Sequence, residues 1–343
     1  MADFTPGTTG TDEVLFAVDG SLGRVLLNRP RAINALTREM VVAMQTRLAA
    51  WADDDAVTAI SLEGAGERGF CAGGDVRAVR EAHLTGTSGG VDFWADEYAL
   101  DAQIAEYPKP VVAVMDGIVM GGGLGLSMFA TARWTTERSR IAMPETIIGF
   151  FPDVAATYLL SRAPGEVGTH MALTGATVTG ADAVHVGLAD AVVDHTRLPE
   201  LIAAVAGGGP IEPVPAGAMT KGGDLASSHG WVDECYAGDD AAVILARLRE
   251  HADPAARAAA EEISLRSPLS VAVTLAALRR AATAGSVREV LEADTRISRG
   301  LLARADFVEG VRALLVDKDR QPRWEHADVD EVTRSEVMSV LEG

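Results

Sequence analysis

The sequence predicts an α/β core followed by a helical C-terminal region. Short β-type runs alternate with helical stretches over about the first 195 residues. A Gly- and Pro-rich stretch at 207–223 follows, and after it only amphipathic helical segments are evident. We therefore expect a flexible N-terminus over residues 1–12, a core with the active site over 13–205, a linker over 206–225 and a helical region over 226–343.

The core elements follow from local patterns in chain order. Glu13–Val18 and Arg24–Leu27 predict a hairpin, and Thr37 is a helix cap before apolar residues at helical spacing. Buried-type strands are predicted at 57–62 and 111–115, and further short strands at 134–136, 140–142 and 191–193. Helices are predicted at 37–51, from 75, and at 92–105, 121–130, 157–160, 167–173 and 180–184. The strands are short, which argues against a wide open sheet. In the C-terminal region we expect helices at 241–251, 255–265, 270–284, 287–300 and 306–315.

Composition narrows the classes of function. The 343 residues carry a formal net charge of −19, which argues against a nucleic-acid partner or an anionic membrane surface. A small anionic ligand stays possible, because local arginines and backbone N–H groups can oppose the global field. Lysine occurs only at positions 109, 221 and 318, a preference for arginine that is associated with GC-rich bacterial genomes.

Cysteine and histidine positions predict no metal site. Cys71 and Cys235 are far apart and match no disulfide or zinc spacing, and the seven histidines form no ligand pattern. The N-terminus lacks a signal-peptide pattern, and no apolar run reaches the length of a membrane span. We therefore expect a cytoplasmic protein without metal or cofactor.

Two carboxylates, Glu145 and Asp153, each directly follow a proline. Proline fixes its own φ, so both carboxylates are expected on stiff backbone. The residues between them are apolar apart from Thr146, Gly149 and Pro152. A water-poor wall of this kind raises a carboxyl pKa and favours acid–base catalysis near neutrality. The alternative is two surface acids among the 49 acidic residues of this chain.

Three glycine-rich segments invite a ligand-binding interpretation. The segment at 121–125 has neither the spacing of a dinucleotide loop nor the Gly-Lys-Ser/Thr of a phosphate loop. Ser88 lies in a Gly-x-Ser-x-Gly pattern, but this pattern follows a helical stretch and not the strand that a nucleophile elbow requires. The loops at 70–75 and 121–123 each precede a helix, so their N–H groups could form an oxyanion hole. Tight helix–strand packing is the alternative for either loop alone.

The order of these motifs resembles the enoyl-CoA hydratase/isomerase (crotonase) superfamily. Phe-Cys-Ala-Gly-Gly-Asp at 70–75, Met-Gly-Gly-Gly-Leu-Gly at 120–125 and Met-Pro-Glu at 143–145 carry the resemblance. It implies a fold with a ββα spiral core, an acyl-CoA substrate whose CoA is no separate cofactor, and an oxyanion hole formed by the N–H groups of Gly74 and Gly122. Members often form homo-oligomers.

Within that superfamily, hydratases use two glutamates, and the first of them is replaced here by Gly125. Residues 143–153, 96–98, 266–270 and 306–319 are similar instead to the 3-hydroxyisobutyryl-CoA hydrolases of valine breakdown. The resemblance implies that Glu145 is catalytic, either as a nucleophile or as a general base for water. It also implies that Asp153 binds the 3-hydroxyl or assists proton transfer and that Glu97 lines the substrate site. Glu97 could equally be a solvated helix residue.

Several alternatives remain open at this point. The chain could be a hydratase or isomerase acting on another acyl-CoA, or a non-catalytic acyl-CoA-binding protein. The preferred 3-hydroxyacyl group and the oligomeric state are not decided by the sequence. Arg29 and Arg31 could bind CoA phosphates or balance the acidic surface, and Cys71 is expected to be a packing residue.

Overall fold

The computed structural model describes residues 3–7, 9–219, 223–227 and 229–343. It forms two compact units, one comprising Met1–Asp75, Asp96–Ile141 and Val178–Gly223, the other Val76–Ala95, Ala142–Thr177 and Asp224–Gly343. The segment 13–205, expected as one core, therefore contributes residues to both units. Residues 1, 2 and 8 of the predicted flexible N-terminus and 220–222 of the predicted linker lie outside the described residues.

The strands belong to two sheets. In the described residues they are β1 (Thr5–Pro6), β2 (Val14–Asp19), β3 (Leu22–Leu27), β4 (Ala59–Gly64), β5 (Gly69–Cys71), β6 (Val111–Met115), β7 (Ile118–Met120), β8 (Ala132–Thr136), β9 (Arg140–Ala142), β10 (Val178–Thr179) and β11 (Ala191–Val193). The predicted hairpin is confirmed, since β2 and β3 pair in antiparallel fashion.

The larger sheet has seven strands in the order β1-β2-β3-β4-β6-β8-β11. The expectation that short strands would not build a wide sheet is wrong. From β3 to β11 every neighbouring pair is parallel, and β3, β4, β6 and β8 each lie between two other strands. The second sheet has the order β10-β9-β7-β5, and its strands β5, β7 and β10, of two or three residues each, were not predicted.

The helices in the described residues are α1 (Arg38–Ala52), α2 (Val76–Leu84), α3 (Gly89–Ala105), α4 (Gly122–Ser127), α5 (Ala156–Leu160), α6 (Val167–Thr174), α7 (Gly180–His185), α8 (Leu198–Ala206), α9 (His229–Tyr236), α10 (Ala241–Glu250), α11 (Pro254–Ser264), α12 (Pro268–Ala281), α13 (Val287–Leu302), α14 (Ala305–Val311) and α15 (Arg334–Glu342). Thr37 caps α1 as predicted, by accepting a hydrogen bond from the Met40 N–H. The predicted helix at 306–315 is α14, continued by a π-helical turn over Arg312–Val316. Helices α8, α9 and α15 were not predicted.

The core of the first unit explains why α8 forms. Its apolar face packs on one face of the larger sheet, and the buried residues of this cluster are Leu22, Ala59, Val112, Val114, Ala132, Trp134, Val193, Leu198, Ile202, Val205 and Ala206. The chain after α8 remains attached to this unit, since Met219 and Val192 exchange two backbone hydrogen bonds. Met219, which lies in the predicted linker, is therefore held against the edge of the sheet.

The second unit is built around α12. This helix is buried on most of its circumference and packs against α5, α6, α10 and α15. A helix that is apolar all round lies inside a helical assembly. No helix among the described residues is both long and apolar enough to cross a membrane.

Candidate active site

In the first unit, Gly74 lies in the loop between β5 and α2. Leu36 pairs with both sides of this residue: its N–H donates to the Gly73 carbonyl and its carbonyl accepts from the Asp75 N–H, both at 2.9 Å. Gly73 has a φ of +102°, which glycine adopts without steric cost. Among the described residues the Gly74 N–H has no acceptor, so it can bind a ligand.

The second glycine loop lies beside the first. Helix α4 begins at Gly122, so its first N–H groups have no acceptor within the helix. The N-cap residue Gly121 has no side chain that could accept them instead. A Cβ atom built on Gly73 would lie 3.7 Å from the Gly122 nitrogen. The structure thus brings the two predicted oxyanion loops together, and their role stays a prediction. A Cβ on Gly123 would approach the Cys71 carbonyl oxygen to 2.6 Å, so that glycine serves packing.

Glu97 lies against the second glycine loop. Its side chain is 2% exposed, and a Cβ atom at Gly122 would stand 2.1 Å from its Oε1. The alternative of a solvated helix residue is therefore wrong. One turn further along α3, Asp101 is also buried. Asp101 was not predicted as a site residue, although its i+4 spacing from Glu97 places both side chains on one helix face.

Cys71 is a packing residue beside these acids, as expected. Its Sγ accepts the Gly73 N–H at 3.4 Å and donates to the Asn34 carbonyl at 3.3 Å. Burial, with the nearby Glu97 and Asp101 charges, raises the pKa of the thiol to about 12, so it stays protonated. The buried Asn34 amide donates to the Gly69 and Phe70 carbonyls. This anchor of the loop was missed, and its left-handed φ of +55° is not visible in the sequence.

In the second unit, Glu145 begins a 3₁₀ turn over Glu145–Ile148. The Glu145 side chain is 7% exposed and that of Asp153 is 5% exposed, so neither is a surface acid. Gly149 ends the turn in the left-handed region at φ +72°. The Phe150 N–H donates to the Glu145 carbonyl at 3.0 Å, which fixes the backbone that carries the carboxylate.

The predicted water-poor wall is confirmed by an aromatic cluster. Phe150 stacks on Trp94 with ring centroids 4.5 Å apart and an interplanar angle of 10°. Phe307 packs against both rings, at 5.6 and 5.5 Å. These three residues and Phe151 are at most 5% exposed. Apart from the partly exposed Ile147, the segment between the two carboxylates is therefore shielded from solvent.

Two C-terminal motifs hold the Glu145 turn in place. Glycine permits close backbone approach: a Cβ on Gly149 would stand 2.4 Å from the Asp306 backbone, and one on Gly310 would stand 2.5 Å from Ile148. Asp306 in turn accepts a 2.6 Å hydrogen bond from Ser267, whose N–H donates to the Thr146 carbonyl. Burial raises the pKa of Asp306. The motifs at 266–270 and 306–319 thus support the segment that carries Glu145.

Asp153 is followed by an unusual turn. Val154 and Ala155 have φ values of +52° and +58°, a conformation that costs residues with a Cβ atom about 1–2 kcal/mol each. The buried Asp294 carboxylate accepts the Ala155 N–H at 2.7 Å. Burial raises the pKa of Asp294 well above its usual value, and the neighbouring Asp153 adds to this increase. Asp294 was missed, because its partner is 139 positions away in the chain.

Other candidate residues have structural partners. Arg29 forms ion pairs with Glu13 at 2.9 Å and Asp75 at 3.1 Å, which weakens its candidacy for CoA phosphates. Arg31 is exposed and forms no ion pair within the described residues. Ser88 follows α2 and donates to Asp92, so the predicted absence of a nucleophile elbow is confirmed. In the described part of the chain, no cluster of His, Cys, Asp and Glu could hold a metal ion.

Comparison of this chain with known protein families, relatives and solved structures agrees with the motif order. The family model described as enoyl-CoA hydratase/isomerase matches residues 22–341. The chain belongs to this family. A 3-hydroxyisobutyryl-CoA hydrolase from Rattus norvegicus is 38% identical over 96% of this chain and 89% of the relative, and the one from Gallus gallus is 37% identical over 95% and 88%. Both are named as mitochondrial proteins.

Two solved structures share the whole fold. A carnitinyl-CoA dehydratase from Mycobacterium thermoresistibile has a TM-score of 0.91 at 47% identity, with 96% of each chain covered. An enoyl-CoA hydratase from Rhodobacter sphaeroides 2.4.1 has a TM-score of 0.92 at 40% identity, covering 96% of this chain and 97% of that one. The predicted fold, with a crotonase-like α/β core and a helical C-terminal region, is confirmed.

Proposed function

We propose that this protein hydrolyses the thioester of 3-hydroxyisobutyryl-CoA, or of a similar 3-hydroxyacyl-CoA, to the free hydroxy acid and CoA. The observation that carries this proposal is the combination of a buried Glu145 with Gly125. Gly125 stands where the resemblance places the other glutamate of hydratases. A single carboxylate and an oxyanion hole suffice for hydrolysis of a thioester. The vertebrate relatives named as hydrolases support the same substrate.

The proposed chemistry begins with the thioester carbonyl. The N–H groups of Gly74 and Gly122 bind its oxygen and stabilise the negative charge that develops there, an effect of about 3–4 kcal/mol per donor in comparable sites. Glu145 then acts in one of two ways. It adds to the carbonyl carbon and expels CoA thiolate, leaving a mixed anhydride that water cleaves, or it removes a proton from the water that attacks directly.

Asp153 supplies substrate selectivity in this proposal. In this proposal the 3-hydroxyl of the substrate donates a hydrogen bond to the buried Asp153 carboxylate. A substrate without that hydroxyl lacks this hydrogen bond and is a poorer substrate. Glu97, held against Gly122, lines the same acyl-CoA site as a polar residue.

The reaction needs no metal or cofactor beyond the CoA of the substrate. We further propose a bacterial protein that works in a reducing cytoplasm, contributes to valine breakdown and has neither a nucleic-acid nor a membrane partner; a homo-oligomer is possible. The free state of Cys71 and Cys235 is compatible with a reducing compartment. The mitochondrial location belongs to the names of the vertebrate relatives.

A substrate comparison tests the proposal. Purified protein is incubated separately with 3-hydroxyisobutyryl-CoA and with crotonyl-CoA, and both free thiol and the double bond of crotonyl-CoA are followed. We expect rapid thiol release from the first substrate and neither reaction with the second. Hydration of crotonyl-CoA without thiol release would instead establish a hydratase.

The hydratase alternative rests on the names of the two solved structures, a dehydratase and a hydratase at 47% and 40% identity. A third outcome is acyl-CoA binding without turnover across a panel of thioesters. That outcome would indicate a non-catalytic acyl-CoA-binding protein.

A further inference from the structure

The turn after Asp153 has a backbone that its sequence does not favour. The Ala156 N–H donates to the Asp153 carbonyl at 2.8 Å, and the two residues between them, Val154 and Ala155, are both left-handed. Turns of this kind are dominated by Gly, Asn and Asp, and a left-handed β-branched residue is a genuine outlier. Both residues are fully buried, so the surroundings must impose this conformation.

Asp294 makes the contact that fixes the turn. The hydrogen bond that closes the turn uses the Ala156 N–H and leaves the Ala155 N–H pointing elsewhere. Asp294, from the middle of α13, places its Oδ2 2.7 Å from that N–H and is 1% exposed. Without this acceptor, a buried N–H group would lose its partner. The turn would then relax toward backbone angles that valine and alanine prefer.

We propose that Asp294 is a positioning residue, which holds the left-handed turn and thereby sets the direction of the Asp153 carboxylate toward the 3-hydroxyl of the substrate. This proposal rests on the proposed function of Asp153. Asp294 would then determine selectivity for hydroxylated acyl-CoA thioesters without contacting substrate.

The shape of the Asp294 side chain guides the choice of variants. A carboxyl group and a carboxamide have nearly the same shape, and both offer an oxygen that accepts a hydrogen bond. Asp294→Asn therefore keeps the acceptor for the Ala155 N–H, and Asp294→Ala removes it.

The kinetic test compares 3-hydroxyisobutyryl-CoA with isobutyryl-CoA, which lacks the hydroxyl. For Asp294→Ala we expect the ratio of the two kcat/KM values to fall at least about tenfold, through loss on the hydroxylated substrate. For Asp294→Asn we expect the ratio to stay within about threefold of wild type, since the hydrogen bond persists. An unchanged ratio in Asp294→Ala, or an equal loss in both variants, would overturn the proposal.

A second substitution separates positioning from general damage. Glycine adopts left-handed angles without steric cost, so adding Ala155→Gly to Asp294→Ala should restore part of the lost ratio. Ala156→Gly, one residue later and inside α5, is the matched control and should restore nothing. Rescue by both glycines, or by neither, contradicts the assigned role. If Asp294→Ala does not fold, Asp294→Gln, which shifts the acceptor by one methylene, takes its place.

Hydrogen exchange of the Ala155 amide tests the contact without any activity. We expect slow exchange in wild type and Asp294→Asn and fast exchange in Asp294→Ala, with global stability measured in parallel. Equal exchange in all three proteins would refute the positioning contact. If wild type hydrolyses no acyl-CoA thioester, the proposed function fails, and the amide measurement still decides whether Asp294 holds the turn.

Discussion

At the scale of single residues, Glu97 explains why position 122 is glycine. The Glu97 carboxylate occupies the space that a side chain at position 122 would fill. A side chain at position 123 would instead clash with the Cys71 backbone. A side chain can rotate away more easily than backbone can move, so the two neighbouring glycines should respond differently to the same substitution.

Gly122→Ala should reduce activity more than stability. We expect the new methyl group to displace the Glu97 carboxylate, with a large loss of kcat/KM and little change in the melting temperature. Gly123→Ala is the matched control, and its overpacking should cost about 1–3 kcal/mol in the free energy of unfolding. Denaturant titrations and thiol-release assays measure both effects. The opposite pattern would mean that Gly122, and not Gly123, is the packing glycine.

Asp153→Ala should impair hydroxyl recognition. A hydrogen bond to a charged group contributes about 1.5–3 kcal/mol, so we expect the preference for 3-hydroxyisobutyryl-CoA over isobutyryl-CoA to fall about 10- to 100-fold. This preference should fall less in Asp153→Asn, because that variant keeps an acceptor oxygen. A preference that survives in Asp153→Ala would show that another group binds the hydroxyl.

At the scale of secondary-structure elements, α6 and α9 meet at His170. Its Nδ1 lies 2.8 Å from the Tyr236 hydroxyl, and its ring packs edge-on against Trp231. Burial lowers the pKa of His170 to about 4. The folded state therefore favours the neutral ring, whereas an unfolded histidine protonates near its ordinary value of about 6.5.

The contact at His170 predicts acid sensitivity. Because the folded pKa lies below the unfolded one, the unfolded state binds more protons between about pH 6.5 and pH 4, and stability falls as the pH is lowered through this window. We expect His170→Phe to flatten the pH dependence of the unfolding free energy there, by roughly 1–3 kcal/mol. His83→Asn, at an exposed position, is the control. Identical slopes for wild type and His170→Phe would contradict this.

The sequence predicted most elements because their signals are local. The strand at Val111–Met115 and the cap at Thr37 are examples, and the structure places both where the sequence did. The three-residue strand Gly69–Cys71 and helix α8 depend on partners far along the chain, so local patterns do not reveal them. Glu145 and Asp153 could be recognised from motif order. The spacing of Asp101 from Glu97 was a usable signal that was not recognised, whereas Asp294 could not be recognised, because only the fold brings it to the Ala155 N–H.

At the scale of the whole molecule, the charge of −19 opposes the approach of an anionic substrate. Long-range repulsion is screened by salt within about 10 Å at 0.1 M ionic strength. Arg29, a candidate for the CoA phosphates, is already engaged by two carboxylates. The net negative charge of the protein should therefore govern how fast an acyl-CoA associates with it.

Salt should accelerate capture of acyl-CoA. We expect kcat/KM for 3-hydroxyisobutyryl-CoA to rise a few-fold, on the order of 2–5, between low and physiological ionic strength. The corresponding N-acetylcysteamine thioester, which has no phosphates, is the control and should show no such rise. A decrease with salt for the CoA substrate would reveal a local basic site that outweighs the global charge.

Glu145 is proposed to carry out thioester hydrolysis without a second glutamate, and the turnover of Glu145→Gln on 3-hydroxyisobutyryl-CoA is the most direct test of this role. The substitution is nearly isosteric, so folding should be preserved, and circular dichroism and the melting temperature confirm this. A general base or nucleophile contributes at least about a hundredfold to the rate, and we expect kcat to fall by that factor or more. Turnover close to that of wild type would contradict the proposed role of Glu145.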